Sequence, residues 1–396
     1  MASVKDILAS IDQISSDLKD TDRVQTIDAL RRALNKLQTP FERAWEMVLP
    51  QPLVLAACQI LADLGLWEAW NSAGGGEKSL DDLVKLCKKE CEPNLLRRQF
   101  RLLVVRNIIE ETGEDLFKPT PFSLSLAERN IALAIQSGFH HFASSALHGP
   151  EFLAKTIYRE AKDASYSIYM DMPQNPDRLT FFGRCGSKLE YQESFIGLMS
   201  NITLWKQDWT DVYDTKLLFD DRVANSEGPI LVDIGGNVGV DLSRFLEKHP
   251  DVPMGSLILQ DQLDVIGLAK PKIDPKITTM VYDFFTPQPI TGSRVYFMHS
   301  ILHDWPDDLA FKILKNLKPA LKKGYSKLLI FDVVVPPVGA SVIQAAHDLC
   351  LMSLLSAAER TEAAWKALLS QAGFKVVGMW KDARGTETLM EAELAD

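Results

Sequence analysis

The segment from Ile230 to Leu246 constrains the fold of this chain more than any other part of its sequence. It reads Ile-Leu-Val-Asp-Ile-Gly-Gly-Asn-Val-Gly-Val-Asp-Leu-Ser-Arg-Phe-Leu, which predicts a buried strand, a glycine turn and an amphipathic helix in succession. Gly235, Gly236 and Gly239 allow the backbone to turn sharply and to approach a ligand without a Cβ in the way. The segment therefore predicts the first unit of a nucleotide-binding α/β domain.

Short apolar runs continue after this segment and alternate with helical stretches. The predicted strands are Ile230–Ile234, Ser256–Gln260, Thr278–Tyr282, Arg294–Met298 and Lys327–Val334. Such alternation is typical of a parallel sheet that is covered on both faces by helices. We expect a doubly wound, Rossmann-like domain over residues 226–396, because the character of the sequence changes at Gly228-Pro229.

An acidic residue ends the second predicted strand, about twenty-two residues after Gly239. In a doubly wound sheet this residue, Asp261, lies at the carboxyl edge beside the glycine turn and accepts hydrogen bonds from ribose hydroxyls. The Gly-Gly-x-x-Gly spacing argues against a dinucleotide, and Asp233 before the turn suits a cation better than a pyrophosphate. The pattern favours S-adenosylmethionine, which joins an adenosine to a positively charged amino-acid portion. The alternative is a turn that only closes a strand–helix corner.

Further motifs follow in a fixed order. They are Val232-Asp-Ile-Gly-Gly, Gln260-Asp-Gln, Asp283-Phe-Phe, Ile301-Leu-His-Asp-Trp-Pro-Asp, and Glu359-Arg-Thr-Glu followed by Ala372-Gly-Phe. With these motifs, the stretch from Val232 to Phe374 resembles the plant- and fungal-type small-molecule O-methyltransferases, which use S-adenosylmethionine. The segment around His303 is the most specific of them.

The resemblance implies a set of cofactor contacts. Gly235 matches a loop contact, Asp261 the ribose contact, and Asp283 and Phe284 the adenine contacts. The full set of expected cofactor-binding residues is Asp233, Gly235, Gly236, Gly239, Asp261, Gln262, Asp283, Phe284 and His299. No metal ligand is expected; the five cysteines are scattered and never occur in C-x-x-C spacing.

The resemblance also implies a catalytic group. His303 matches a general base, and Asp332 and Glu359 match two acids that hold its imidazole. A phenol with a pKa of about 10 is a poor nucleophile at pH 7, whereas a neutral imidazole with a pKa of about 6.5 accepts its proton as the oxygen attacks the methyl group. We therefore expect methyl transfer to a hydroxyl of a hydrophobic aromatic or polyketide-type metabolite.

Three positions depart from the family pattern. Asn237 stands where a third glycine is usual, His299 where a lysine or arginine is usual, and Asp332 where a glutamate is usual. Aspartate is one methylene shorter than glutamate, and His299 gives up a permanent charge near the cofactor. Cofactor binding is thus better supported by the sequence than methyl transfer is.

The same fold is also compatible with a second function. Fungal pericyclases that resemble these methyltransferases bind S-adenosylmethionine but catalyse dehydration or cycloaddition of a polyketide-derived alkaloid precursor. The adjacent His140 and His141 support this alternative. A pericyclase needs a donor to a substrate carbonyl, and we assign that role to His141. A catalytically silent cofactor-binding scaffold is a third hypothesis.

Apolar residues recur at helical spacing near the N-terminus, before and after the segment Asp20-Thr-Asp-Arg. They are Ile7, Ile11, Ile14 and Leu18, then Ile27, Leu30, Leu34 and Leu37. We expect two amphipathic helices whose apolar faces pack on a second copy of the chain to form a homodimer, the alternative being packing on the body of the same chain. Three helices and a hairpin turning at Gly113 follow, and they resemble a winged helix. The predicted domains are residues 1–125 for dimerisation, 126–225 for a helical substrate-pocket region and 226–396 for the cofactor domain.

Composition excludes several classes of partner. A net charge of −10 disfavours a nucleic-acid backbone as a ligand. No secretory signal and no apolar run of membrane-spanning length stands out, so we expect neither a membrane partner nor export, and a cytoplasmic location. The expected partners are a small hydrophobic substrate and a second copy of the chain.

Overall fold

The computed structural model of the protein describes residues 4–14, 18–219 and 228–395. The chain divides into two compact units, residues 1–53 and 54–396. The domain boundaries expected after residues 125 and 225 remain predictions.

The first unit is helical and exposes many apolar side chains. Its helices span Val4–Asp12, Asp20–Leu37 and Pro40–Val48. Two helices are present as predicted, but the first ends at Asp12, before Ile14 and Leu18, and Asp20-Thr-Asp-Arg forms the start of the second helix rather than a separator. Large apolar side chains of the unit that remain exposed include Leu34, Leu37, Phe41, Trp45, Met47 and Val48.

One helical stretch, Pro40–Asp63, is long and apolar enough to cross a membrane when only length and composition are considered. The core helix of a globular domain passes the same test. Its second half contributes Ala57, Cys58 and Leu61 to a buried core.

The second unit begins with helices packed on a small sheet. Its first helices are Pro50–Asp63, Leu66–Ser72, Leu80–Leu86 and Pro93–Val105. The sheet consists of β1 (Lys78–Ser79), β2 (Ile109–Gly113) and β3 (Leu116–Pro119), in the antiparallel order β1-β3-β2. Ser79 caps the helix Leu80–Leu86 by accepting from the backbone N–H of Asp82. The hairpin is present, and its turn lies at Glu114-Asp115 rather than at Gly113 because Asp115 takes a positive φ of 53°.

A run of helices follows. They span Pro121–Ser125, Arg129–Ser137, Ser144–Lys155, Ile168–Asp171, Phe181–Ser187, Leu189–Trp205 and Trp209–Val212. A π-helical turn, Gly138–Ala143, joins the second and third of them. Leu189–Trp205 is called the covering helix below, because its side chains line one side of the cavity described in the next section.

An eight-stranded sheet occupies the remainder of the second unit. Its strands are β4 (Leu231–Ile234), β5 (Leu257–Asp261), β6 (Ile277–Val281), β7 (Val295–His299), β8 (Lys327–Val335), β9 (Arg360–Thr361), β10 (Phe374–Lys381) and β11 (Glu387–Leu394). The order is β10-β11-β8-β7-β4-β5-β6, with β9 paired to β8. The helices between them are Val240–Lys248, Leu263–Ala269, Asp307–Leu317, Val342–Leu355 and Glu362–Gln371.

The five predicted strands are all present within two residues of their expected ends, and they pair in parallel. The sheet as a whole is mixed, however. Strands β10 and β11 pair antiparallel to each other, and β11 pairs antiparallel to β8. An antiparallel edge on a parallel sheet is common in α/β proteins.

Both faces of the sheet are buried, as the continuous apolar strands predict. On β7, Tyr296 and Met298 pack in one core cluster, while Val295 and Phe297 pack in the other. Alternate side chains of a strand point to opposite faces, so each face carries its own layer of helices. The result is a rigid sheet whose carboxyl edge supports the site.

The small N-terminal sheet has an aromatic core that can be tested. Phe100 is fully buried and meets Phe117 edge to face, with ring centroids 4.8 Å apart. Phe100→Ala is expected to lower the free energy of unfolding of this region by about 3–5 kcal/mol, because it leaves a cavity. Leu95→Ala on the exposed side of the same helix is expected to cost under about 0.5 kcal/mol. Urea denaturation followed by tryptophan fluorescence measures both, and equal losses would contradict the core assignment.

Candidate active site

The glycine turn connects β4 to the helix Val240–Lys248. Gly235 has a φ of 74°, and a Cβ placed on it would lie 2.5 Å from Cδ1 of Ile301. Asn237, where the family pattern has a third glycine, also has a positive φ, of 52°. Asparagine tolerates this conformation better than most residues, so the turn keeps its shape.

A cavity of about 260 Å³ opens at the carboxyl edge of the sheet beside this turn. The predicted cofactor residues that line it are Gly235, Gly236, Asp261, Gln262, Asp283, Phe284 and His299. Apolar side chains line it as well, namely Phe182, Phe195, Ile196, Met199, Ile202 and Trp305. The cavity thus joins a polar part at the strand ends to an apolar part at the covering helix.

Asp261 is held in place by backbone donors. Its Oδ2 accepts from the N–H of Asn237 at 2.8 Å, and its Oδ1 accepts from the N–H of Gln262 at 2.7 Å. Burial raises the pKa of Asp261 to about 6, against the opposing effect of these two hydrogen bonds. A carboxylate has further lone pairs, so Asp261 is able to accept from a ribose as well.

Asp283 and Phe284 follow β6 at the same edge. Asp283 accepts a hydrogen bond from the N–H of Phe285 at 2.9 Å, which fixes the turn that presents both residues. The Phe284 ring meets Trp305 edge to face, with centroids 5.8 Å apart. A flat aromatic wall beside a carboxylate suits an adenine.

Asp233 does not line the cavity. Its side chain is 1% exposed and lies under the turn, so close that a Cβ on Gly236 would collide with Oδ2. Burial raises the pKa of Asp233 well above its ordinary value, with the nearby Asp241 carboxylate adding to the shift. The acid at the cavity is instead Asp241, which the sequence analysis missed. Gly239 also lies outside the lining residues and starts the helix with a φ of 83°.

His299 ends β7 and lies in a buried charge cluster. Its Nδ1 is 2.6 Å from Oδ2 of Asp241, and its Nε2 is 3.3 Å from Oε1 of Glu387. Burial lowers the pKa of His299, but the two carboxylates outweigh burial and raise it to about 9. Lys206 bonds the same Glu387 oxygen at 2.5 Å. His299 and Lys206 therefore both pair with buried carboxylates at this edge of the sheet.

The backbone after β7 brings His303 to its position. Ser300 takes a positive φ of 53° and turns the chain into the short 3₁₀ helix Leu302–Asp304. Nδ1 of His303 lies 3.1 Å from Oε1 of Glu359 and 3.3 Å from Oδ1 of Asp332. The structure therefore brings the three predicted catalytic residues together. His303 is 4% exposed, and both acids are buried.

The electrostatics of this cluster favour a charged imidazole. Burial lowers the pKa of His303, but the carboxylates of Asp332 and Glu359 reverse the effect and raise it to about 10. Burial raises the pKa of Asp332, whose oxygens accept no hydrogen bond with good geometry. For Glu359, burial is outweighed by the charge and hydrogen bond of His303, so its pKa is lowered. The pair is therefore best described as a His303 imidazolium and a Glu359 carboxylate.

Two further residues complete the cluster, and sequence reasoning missed both. Asp304 lines the cavity, and its Oδ1 is 3.5 Å from Nε2 of His303, which is not itself among the residues that line the cavity. His347 shares Oε1 of Glu359, at 3.2 Å from its own Nδ1. Donor atoms of His303, His347 and Glu359 lie within 4.8 Å of one another, a spacing that hydrogen bonding to a shared carboxylate explains. The expectation that no metal binds remains a prediction.

The structure does not bring His141 to this cavity. The side chain is fully buried in the π-helical turn, where Nδ1 lies 2.5 Å from the hydroxyl of Tyr169. Burial lowers the pKa of His141 to about 3, and the charge of nearby Arg184 adds to this shift. Phe181 and Tyr191 enclose the ring. Packing among aromatic residues thus accounts for this neutral histidine.

Comparison with known proteins agrees with the fold and the motifs. Residues 206–375 match a family model described as an O-methyltransferase domain. O-methyltransferase ATR12 of Stachybotrys chlorohalonatus is 43% identical over 397 residues, covering 99% of each chain. A structure of LepI in complex with SAM and one described as a pericyclic reaction enzyme each align with a TM-score of 0.89 and 26% identity. These alignments cover 99% of this chain and 98% and 99% of the other chains, respectively. The chain belongs to the S-adenosylmethionine-dependent O-methyltransferase family.

Proposed function

We propose that the protein transfers the methyl group of S-adenosylmethionine to a hydroxyl of a hydrophobic aromatic or polyketide-type metabolite, with His303 as general base. One observation carries the proposal. Nδ1 of His303 is held by Glu359 and Asp332, while Nε2 is directed toward Asp304 at the cavity. His303 itself is buried and does not line the cavity, so the substrate hydroxyl would take the place of Asp304 beside Nε2 to give up its proton.

The cofactor part of the cavity fits an adenosine. Asp261 would hold the ribose, and Asp283 and Phe284 would hold the adenine, beside a turn in which Gly235 leaves room for the side chain of Ile301. When bound, S-adenosylmethionine supplies an electrophilic methyl group on a sulfonium. The protein contributes by fixing both reactants in one closed space, which removes much of the entropic cost of their meeting.

His303 accepts the proton of the substrate hydroxyl in this reaction. In its neutral form, Nε2 accepts the hydroxyl proton while the substrate oxygen attacks, and the resulting imidazolium is stabilised by the carboxylates of Glu359 and Asp332. The same carboxylates raise the pKa of His303, so the neutral form is the minor one at pH 7. The carboxylates therefore orient the imidazole of His303, but they leave only a minority of it in the neutral form that accepts a proton.

The apolar part of the cavity fits a flat substrate. The rings of Phe182 and Trp305 stack with centroids 5.8 Å apart, and Phe195 meets Phe182 at 5.9 Å. Met199 of the covering helix lines the same space. Aromatic and thioether side chains adapt to a large apolar ligand, which supports an aromatic or polyketide-type substrate.

A pericyclase or dehydratase that keeps the methyl group on sulfur is the second candidate. The alignment with the pericyclic reaction enzyme favours it at the level of the fold. The buried position of His141 removes the donor that the sequence analysis assigned to this chemistry. The retained base cluster at His303 supports methyl transfer as the first choice.

Methyl transfer is tested with cofactor labelled in its methyl group and a panel of phenols. We expect label in the product, and we expect His303→Ala to lower the rate by about 10²- to 10⁴-fold because the base is lost. His249→Ala serves as a control, since this half-buried histidine bonds Thr215 and contacts neither the cavity nor Asp304, Asp332 and Glu359. An isomerised or dehydrated product without label would instead identify the pericyclase.

The pH dependence of the reaction is a second test. Because only neutral His303 accepts a proton, kcat/KM is expected to rise with pH toward the raised pKa of about 10. Asp332→Asn removes a negative charge that stabilises the imidazolium, so the rise is expected to move to lower pH by about 1–3 units. Asp308→Asn, an exposed acid on the next helix, should leave the profile in place. A rise that is identical in wild type and Asp332→Asn would exclude His303 as the titrating base.

The first unit supports a proposal of homodimerisation. Phe41 and Trp45 stack with centroids 5.7 Å apart and are 72% and 50% exposed. Apolar side chains this exposed gain stability when a second copy covers them. We expect a mass of twice 44.3 kDa by sedimentation equilibrium, and loss of the dimer in Phe41→Glu/Trp45→Glu. Val338→Glu, at an exposed apolar residue outside the unit, is the control. A dimer that survives the double substitution would place the interface elsewhere.

A further inference from the structure

His347 contacts the base cluster but has no role in the mechanism given above. It lies on the helix Val342–Leu355, and its side chain is 35% exposed, whereas His303 and Glu359 are buried. Nδ1 of His347 is 3.2 Å from Oε1 of Glu359, and Nδ1 of His303 is 3.1 Å from the same oxygen. A histidine that reaches the surface is therefore joined to the buried base through one carboxylate oxygen.

Both histidines donate to this oxygen. Burial would raise the pKa of Glu359, but the charge of His303 and the hydrogen bonds from both histidines lower it. Glu359 is therefore a carboxylate, which only accepts, so each Nδ1 carries the proton of its bond. The backbone N–H of Glu359 also donates to Oδ1 of Asp348 at 2.9 Å, so the position of Glu359 does not depend on His347 alone.

The groups that face His303 come from several elements. Asp332 on β8 and Glu359 before β9 stabilise its imidazolium most, and the adjacent Asp304 adds a smaller effect. The further charged or titratable groups that interact with these three acids are Lys206, His347, Cys350 and Glu387. Of these four groups, His347 is the one that hydrogen-bonds Glu359.

We propose that His347 is a positioning residue for the base, since it shares the Glu359 oxygen that holds His303 and thereby increases the share of neutral His303. A second donor on that oxygen lowers the negative charge that His303 meets, so the imidazolium gives up its proton more readily. A positive charge on His347 acts in the same sense, because the two ring centroids are 6.2 Å apart. The inference rests on the proposed function, in which only neutral His303 accepts the hydroxyl proton.

NMR titration of His303 tests the proposal without any substrate. The full-length protein is labelled with ¹³C at the histidine Cε1, and the His303 signal is assigned by its loss in His303→Ala. His347→Leu removes the second donor, so the midpoint of His303 is expected to move up by about 0.3–1 pH units. His347→Arg supplies a donor with a permanent charge, and the midpoint is expected to move down by about 0.3–1 pH units. His347→Gln keeps a neutral donor and is expected to stay within about 0.2 pH units of wild type.

The rate of methyl transfer is expected to follow these midpoints. Below its midpoint, the share of neutral His303 changes tenfold per pH unit, so kcat/KM at pH 8 is expected to be about 2- to 10-fold lower in His347→Leu and about 2- to 10-fold higher in His347→Arg. The affinity for S-adenosylhomocysteine is expected to be unchanged in both variants, because His347 does not line the cavity. Unchanged affinity also shows that the variants are folded.

His249→Leu is the matched control, since this half-buried histidine bonds Thr215, and it is expected to leave the midpoint of His303 in place. A purely structural role of His347 predicts that the leucine and arginine variants both lose activity and that neither moves the midpoint. That result, or a midpoint that moves in the same direction in both variants, would overturn the proposal. Midpoints that move as expected in a protein that transfers no methyl group would instead refute the proposed function.

Discussion

The parallel pairing of β8 with β7 and β9 is the constraint on which the site depends. The register sets His299 opposite Phe331, so that Asp332, one residue further on, lies beside the turn that carries His303. Further along β8, Val334 pairs with Arg360, which places Glu359 against the same imidazole. Three residues that are far apart in sequence therefore meet without any loop having to be ordered by a ligand. A shift of one residue along β8 would turn Asp332 to the opposite face of the sheet.

Charge is buried at this edge in two neighbouring groups, and the charges of Lys206 and Glu387 in one group also act on the pKa of Asp332 in the other. Around His303 the acids outnumber the bases, which stabilises an imidazolium and makes the neutral base scarce. Around His299 the carboxylates of Asp241 and Glu387 pair with three basic groups, which are His299, Lys206 and Arg244.

The sequence predicted those parts of the fold that depend on local pattern. Apolar runs predict the five parallel strands, and motifs at the strand ends predict the glycine turn and the residues around His303. Such patterns are contained in short segments and can be recognised without knowing the tertiary structure. Lys206 was missed because it follows a helix with no motif around it, and Asp241 because an acid in a first helical turn usually only stabilises the helix. The position of His141 depends on how Tyr169 and other distant aromatic residues pack, which spacing along the chain does not reveal. The antiparallel edge was missed because β10 and β11 carry no ligand motif.

Asn237 has a consequence beyond the shape of the turn. Its side-chain amide lies 3.5 Å from the carbonyl of Ile196 and 3.4 Å from the hydroxyl of Ser200, both on the covering helix, while its backbone N–H holds Asp261. A glycine there would have no side chain to reach the covering helix. With asparagine, the turn that holds Asp261 is also bonded to the helix that lines the apolar part of the cavity, so a substitution at this one position would disturb both parts.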